Sequence, residues 1–331
     1  MMQELIKNLP LQVKESIQIF QETGIPSLKR EINQVVIAGL GGSGIGGTIM
    51  ADLARPCARI PVVVTKDYSI PAFVDEYTLF IASSYSGNTE ETLMALEQAL
   101  ERKAHVICIT SGGRLAEIAK KYGLGLLQIP GGNPPRACLG YSLTQLICIF
   151  QHYGIVPDLY INQLETAVGF LDNQSVNIQQ EAMKLSQALH QKIPVIYADA
   201  SMEGVAVRFR QQLNENSKML AWHHVVPEMN HNELVGWAQK NENLAVVFLR
   251  NKDDYFRNQA RIDINREVIS RYAGSVHDIW SEGNNRIEQT MYHIHFCDWV
   301  SYYLSELRGV DIMDIQVINH LKSELSKISE K

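Results

Sequence analysis

The stretch Val35-Val36-Ile37-Ala38-Gly39-Leu40-Gly41-Gly42-Ser43-Gly44-Ile45-Gly46-Gly47-Thr48-Ile49-Met50 decides the fold. Val35–Ala38 is a short apolar run rich in β-branched residues, the composition of a strand buried on both faces of a parallel sheet. Glycines 39, 41, 42 and 44 follow at once, where the backbone can turn sharply and leave its amides uncovered. Residues Gly46 to Leu53 then run as a helix, weakened by Gly46 and Gly47. A strand that ends in a glycine turn and opens a helix brings free N–H groups and the positive helix end to one place, a seat for a small anion. Ser43 stands within that seat and is the first candidate for holding a phosphate. The same glycines satisfy G-x-G-x-x-G, but the acidic residue which that dinucleotide pattern wants comes late, because the next strand, Val62–Thr65, ends at Lys66-Asp67. Tight packing of strand on helix is the alternative, purely architectural use of these glycines.

The same grammar continues outward. A strand at Thr78–Ala82 runs into Ser83-Ser84-Tyr85-Ser86-Gly87-Asn88-Thr89, followed by a helix over Glu90–Arg102. Ser84, Ser86 and Thr89 surround Gly87 at a strand-to-helix junction, where hydroxyls and helix amides together suit a phosphate ester held by neutral donors. Plain helix capping is the other reading, and Asn88 with Glu91 has the form of a capping box. No lysine stands in the glycine turn, which excludes the nucleoside-triphosphate loop G-x-x-x-x-G-K-[ST]. Further strands are expected at His105–Thr110 and Leu124–Ile129, with a helix at Arg114–Tyr122 between them. A rigid turn, Gly131-Gly132-Asn133-Pro134-Pro135-Arg136, precedes an apolar helix over Ala137–His152. On the amino-terminal side, Glu4–Thr23 has the spacing of an amphipathic helix that Pro10 starts or breaks.

Beyond a boundary placed near residue 155, Tyr160–His190 reads as one or two helices. Strands then fall at Pro194–Ala198, Leu244–Leu249 and Ser275–Trp280, and helices at Glu203–Asn214 and Arg257–Ser270, with Lys218–His223 continuing or following the first of them. A long helix over Arg286–Leu307 stops at Gly309, and Ile315–Leu325 forms a last one. Alternation of this kind predicts an α/β chain of two domains, 1–155 and 156–331, each a mostly parallel sheet flanked by helices. Two halves of like grammar point to duplication, although the glycine turn is not repeated.

Composition bounds the function. The 331 residues suffice for two domains, and 46% apolar with 20% charged residues is a globular balance. A formal charge of −6 disfavours nucleic acid as a partner. No apolar run has the length of a membrane span, and the amino terminus lacks a signal-peptide core. Five cysteines, an odd number with no C-x-x-C pair, fit a reduced cytoplasm.

Polarity in the second half concentrates in Gln211–Lys218 and Trp222–Glu233. Glu215 and His231 there have the chemistry of a base and an acid, although a polar surface loop explains the pattern as cheaply. His223, His224, Glu228 and His231 match no standard zinc spacing, and H-E-x-x-H is absent. His293 and His295, two apart on a helix, do not face one direction. Ser43 does not sit in G-x-S-x-G, so no nucleophile elbow is expected.

Six stretches, taken in order, carry a resemblance: GLGGSGIGG (39–47), SYSGNTEET (84–92), PPR (134–136), LNENSK (213–218), MNHNE (229–233) and INHLK (318–322). Together they are similar to the bifunctional phosphoglucose/phosphomannose isomerase family of the sugar isomerase (SIS) domain superfamily. The resemblance implies two SIS-type αβα sandwiches, a homodimer, no cofactor and no metal. It implies Ser43, Ser84, Ser86 and Thr89 as binders of the sugar phosphate and Glu215 as the base moving a proton between C2 and C1. Arg136 would stabilise the enediol, His231 of the neighbouring subunit would open the ring, and Lys322 would approach the ring oxygen. The chemistry agrees with these residue types. A cyclic aldose phosphate must open before its C2 proton becomes acidic, imidazole titrates near neutrality, and a fixed cation stabilises the developing oxyanion. Asp311–Val317 lacks the proline or threonine that relatives often carry before the final helix. A SIS module that binds phosphosugar without turnover is the competing expectation; it needs the hydroxyls but not Arg136, Glu215 and His231.

Overall fold

Two parallel sheets carry the chain in the computed structural model, which describes residues 1–28 and 30–328. The first half runs α1 (Met2–Lys7), α2 (Leu9–Thr23), β1 (Gln34–Ala38), α3 (Gly41–Ala54), β2 (Val62–Thr65), β3 (Thr78–Ser83), α4 (Glu90–Glu101), β4 (His105–Thr110), α5 (Gly113–Tyr122), β5 (Gly125–Gln128) and α6 (Leu139–His152). The second runs α7 (Tyr160–Leu189), β6 (Ile193–Asp199), α8 (Glu203–Glu215), β7 (Trp222–Val226), β8 (Asn241–Arg250), α9 (Phe256–Ile269), β9 (Ala273–Trp280), α10 (Arg286–Arg308) and α11 (Gln316–Leu325).

The first sheet has the order β2-β1-β3-β4-β5 and the second β7-β6-β8-β9. Ile37 lies between Val64 and Ile81 in register, so β1 is flanked by its successor on one side and by β3 on the other. That reversal opens a crevice beyond the carboxyl ends of β1 and β3, the place where α/β sheets bind ligands. The second sheet repeats the reversal, with Ile196 of β6 between His223 and Val247. Its crevice is filled from within. The Asp254 carboxylate accepts the N–H of Asn251 at 2.9 Å and its Nδ2–H at 3.0 Å, and Arg286 stands 3.2 Å away. The Ser281 hydroxyl donates to Asn251 Oδ1, and Asn258 Nδ2 donates to Asp199, at 2.6 Å each.

Strands covered on both faces by helices read as unbroken apolar runs, and all of β3 is buried. One continuous core joins the halves, from Met2 and Ile6 through α2, α3, α6 and α7 to Leu304 on α10. Helices α3 and α8 approach closely because Gly204 has no side chain: a Cβ there would come within 2.8 Å of Ile49 Cγ1. The Asp52 carboxylate of α3 takes the Gly204 N–H at 2.7 Å, joining the two halves.

Several local expectations change. Helix α3 begins at Gly41, so the glycine turn is largely the helix's own first turn. Thr89, not Asn88, flanks α4, and Asn88 Oδ1 accepts the N–H of Arg114 at 3.0 Å, tying α4's start to α5. Pro10 lies in the first turn of α2, where its missing N–H costs nothing, and does not break a helix. Lys218–His223 is not helical: α8 ends at Glu215, Lys218 turns with φ +54°, and β7 begins at Trp222. Tyr160–Leu189 is one helix of 30 residues. Among the described residues no helix is long and apolar enough to cross a membrane, and the five cysteines are free.

Candidate active site

The site is built where the loops after β1 and β3 meet the turn before α6. Gly42 lies against that turn: a Cβ there would sit 2.9 Å from the Pro135 carbonyl oxygen. Ser43 is buried, and its Oγ accepts the N–H of Tyr85 at 3.0 Å. Ser84 Oγ and Thr89 Oγ1 are 2.8 Å apart, and Ser84 Oγ also accepts the N–H of Gly87 at 3.2 Å. Gly87 has φ +70°, and a Cβ would lie only 1.8 Å from the Gly112 carbonyl oxygen, so only glycine closes this turn. Ser86 is exposed, with its Oγ accepting the Asn88 N–H at 3.2 Å. Ser43 thus lies in the first turn of α3, and Ser84, Ser86 and Thr89 lie in the loop that leads into α4; helix starts of this kind favour an anion.

Tyr85 links these loops to the next feature, since its hydroxyl accepts the N–H of Asn133 at 3.1 Å. Three residues on, Arg136 is buried, and each guanidinium nitrogen faces a polar partner. Nε donates to Asn216 Oδ1 and one Nη to the Ile312 carbonyl, both at 2.7 Å, while the other Nη lies 3.6 Å from the Glu215 carboxylate. Burial pushes the Arg136 pKa down and the Glu215 charge opposes it, yet a guanidinium stays cationic at any working pH. The Arg136 side chain is 4% exposed and that of Glu215 31%, so the cation is fixed behind a carboxylate that solvent or a ligand can reach. A cavity of 390 Å³ opens beside Glu215, bordered by Lys218, Leu220 and Asp314–Ile318. The segment that departs from the family pattern therefore both accepts a hydrogen bond from Arg136 and walls the space next to Glu215.

A buried polar network supports this pair, and Arg208, Asp298 and Ser301 within it have no signature in the sequence. Arg208 on α8 donates to the Arg136 carbonyl at 3.1 Å and pairs with Asp298 of α10 at 2.6 Å. Gln212 donates to the other Asp298 oxygen at 2.8 Å. Asn216 Nδ2 donates to Ser301 Oγ at 3.0 Å, and Ser217 to the Ser301 carbonyl at 2.7 Å. Lys218 places its ammonium on the Glu215 carbonyl, and burial with the nearby Arg136 charge pushes its pKa down. Only the run of polar residues after Leu213 hints at any of this.

Two candidates are not brought to this place. His231 is exposed on a short 3-10 turn, Glu228–His231, and Lys322 is exposed on α11, none of whose residues is buried. Among the described residues neither side chain makes a hydrogen bond or ion pair with Arg136 or Glu215. Among the described residues no group of three or more His, Cys, Asp or Glu side chains gathers as for a metal ion.

Residues 30–120 match the SIS domain, and residues 178–325 match the bacterial phospho-glucose isomerase C-terminal SIS domain. A bifunctional phosphoglucose/phosphomannose isomerase of Caldicellulosiruptor bescii is 38% identical over 338 residues, covering 99% of each chain. One of Thermoplasma acidophilum is 38% identical over 295 residues, covering 89% of this chain and 90% of the relative. Among solved structures, the C-terminal domain of glucosamine-fructose-6-phosphate aminotransferase from Francisella tularensis superposes with a TM-score of 0.76 at 17% identity, covering 94% of this chain and 97% of that one, a likeness of fold. With two SIS-type αβα units and a relative matched from end to end, the chain belongs to the bifunctional phosphoglucose/phosphomannose isomerase family.

Proposed function

We propose that the protein interconverts glucose 6-phosphate and mannose 6-phosphate with fructose 6-phosphate by ring opening and a cis-enediol proton transfer. The observation that carries this reading is the Arg136–Glu215 pair, a buried cation behind an accessible carboxylate, beside a cluster of hydroxyls at two helix starts. Ser43, Ser84, Ser86 and Thr89 hold the phosphate. The Glu215 carboxylate takes the C2 proton of the open chain and returns it to C1, while the O2 hydroxyl gives up its proton, O1 gains that proton, and O2 becomes the carbonyl. Arg136 stabilises the negative charge that develops on the enediol oxygens. The steps require neither a nicotinamide nor a Lewis acid. Mannose and glucose 6-phosphates differ only at C2, so an open chain free to turn about C2–C3 presents either face to one base.

His231 acts in this reading from a second copy, and Lys322 supports the ring-oxygen side from α11. Apolar residues left outside the fold support a homodimer: Leu220 is 86% exposed, Val235 80% and Val317 84%. We assign residues 1–155 to the phosphate-binding domain and 156–331 to the domain carrying Glu215 and the last helix, and place the protein in the cytoplasm, where its free thiols stay reduced.

Chelator-dialysed protein given fructose 6-phosphate is the test. Early appearance of both aldose phosphates supports the dual isomerase. Glucose 6-phosphate alone restricts the activity and directs attention to Asp311–Val317. Tight phosphosugar binding with neither product overturns the proposal in favour of a binding module. For the shared site, a heterodimer of one E215Q and one H231A chain contains one intact site and is expected to regain about half the native activity, whereas each homodimeric variant is inactive; no regain overturns a contribution across the interface.

A further inference from the structure

The turn bearing His231 is clamped on both sides, while the imidazole makes no hydrogen bond or ion pair among the described residues. Before it, Met229 is buried, and Asn230 Nδ2 donates to Asn265 Oδ1 of α9 at 2.6 Å. Asn265 in turn donates to the Met229 sulfur at 3.4 Å. After it, Asn232 Oδ1 accepts the Glu233 N–H at 2.6 Å, and its Nδ2 donates to Glu228 at 2.9 Å. The Glu233 carboxylate is the outermost anchor. Its Oε1 accepts the hydroxyl of Tyr197 and the Nε1–H of Trp222, the latter at 3.2 Å. Trp237 Nε1–H donates to the Tyr197 oxygen at 3.1 Å.

Tyr197 lies on the central strand β6, and no part of it is exposed. Its hydroxyl is therefore a fixed reference point. A phenol donating to a carboxylate is a charge-assisted bond, stronger than a neutral one. The chain Trp237–Tyr197–Glu233 thus runs from the second sheet to a residue two positions beyond His231. Such anchoring around an unbonded, exposed imidazole is the construction expected of a group delivered to a reaction outside its own copy.

We propose that Tyr197 and Glu233 are positioning residues for His231, fixing the turn from which its imidazole opens the sugar ring. The inference rests on the ring-opening role of His231 proposed above. A misplacement of about 1 Å costs on the order of 10²-fold in rate, so removing this anchor slows ring opening and leaves the enediol step alone.

The test compares Y197F and E233A, with E233Q as the conservative variant and H231A as the reference, on two ketose substrates. Fructose 6-phosphate must open its ring. 5-Deoxyfructose 6-phosphate lacks O5 and cannot close one. Y197F and E233A are expected to lose about 10- to 100-fold in kcat/KM on fructose 6-phosphate and to stay within a few-fold of native on the ring-free substrate. E233Q, which keeps an oxygen for Tyr197 and Trp222, recovers much of the loss. Because Glu233 is only half-buried, E233A remains informative if Y197F does not fold. H231A with the substrate selectivity, but Y197F and E233A fully active, overturns the positioning inference alone. Equal losses on both substrates mark a merely structural role and also overturn it. H231A fully active on fructose 6-phosphate overturns the role of His231 itself.

Discussion

The charged ends of Arg136 and Glu215 stand 3.6 Å apart, although one sits in the short turn Pro135–Ala137 of the first half and the other ends a helix of the second. Their spacing depends on how the two halves pack, and α3 against α8, with the bond from Arg208 to the Arg136 carbonyl, sets that packing. Replacing Glu215 with glutamine keeps the shape and removes the proposed base. The expected result is a fall in kcat of about 10³-fold, with phosphosugar affinity by calorimetry within a few-fold of native. Loss of binding equal to the loss of rate would remove Glu215 from the proton transfer.

Ser84 and Thr89 share a hydrogen bond, and Ser84 also holds the Gly87 amide. S84A removes both. A hydrogen bond to a charged group is worth about 1.5–3 kcal/mol, so the expected outcome is a KM for fructose 6-phosphate raised about 10- to 100-fold while kcat changes little. Steady-state kinetics at fixed ionic strength decides it.

Gly87 admits no side chain, because its φ is +70° and a Cβ would press on the Gly112 carbonyl. G87A is expected to cost more than about 2 kcal/mol in urea unfolding, and to cut phosphosugar affinity with it. A variant of native stability would mean that the turn relaxes freely.

The Arg208–Asp298 pair is buried on both sides. Removing one partner strands the other, and D298A is expected to lose about 3–5 kcal/mol. Replacing both with apolar residues of similar size recovers most of the stability. Activity does not return with it, because the Arg136 carbonyl still lacks the donor that Arg208 supplies. Denaturation and turnover measured on the same double variant separate the two effects.

Acid acts on this protein in two opposed ways. Burial pushes His293 and His295 down to about 4, so the unfolded chain binds protons that the folded one refuses. Stability is therefore full above about pH 6.5 and is lost as pH falls toward 4. Burial raises Asp52 to about 6, so its folded form binds a proton first, and its contribution improves as pH falls through that value. His295 accepts the Nε1–H of Trp299 at 3.2 Å, a bond its protonation would abolish. H295Q is expected to lose less stability than native between pH 7 and 5, and D52N more. Urea midpoints at the two pH values check both signs.

The sequence reveals most readily what local chemistry enforces. β1, β3 and β4 are largely apolar runs, and the glycine and hydroxyl loops after β1 and β3 lie where the reversal of strand order opens the crevice. β7 escapes because an edge strand carrying His223 and His224 lacks both the apolar run and a clean alternation. Ser301, Arg208 and Asp298 escape for another reason. Their partners are 72 to 90 residues away, and helix periodicity marks which face is buried without saying which polar groups meet there. The likeness of motifs singles out His231 and Lys322, and both stand exposed, away from Arg136 and Glu215, so no local pattern of the chain marks what they would meet.

The second crevice has a consequence for saturation. Its carboxyl-end mouth already holds Asp254, with the amide, side-chain amide and guanidinium of Asn251 and Arg286 arranged around the carboxylate as they would be around a bound oxyanion. A phosphate entering there would have to expel a negative charge that the chain cannot release. Duplication of the sheet has thus not duplicated the receptor: a calorimetric titration should reach its equivalence point at one phosphosugar per polypeptide, with half of the repeated architecture permanently occupied by an anion of its own.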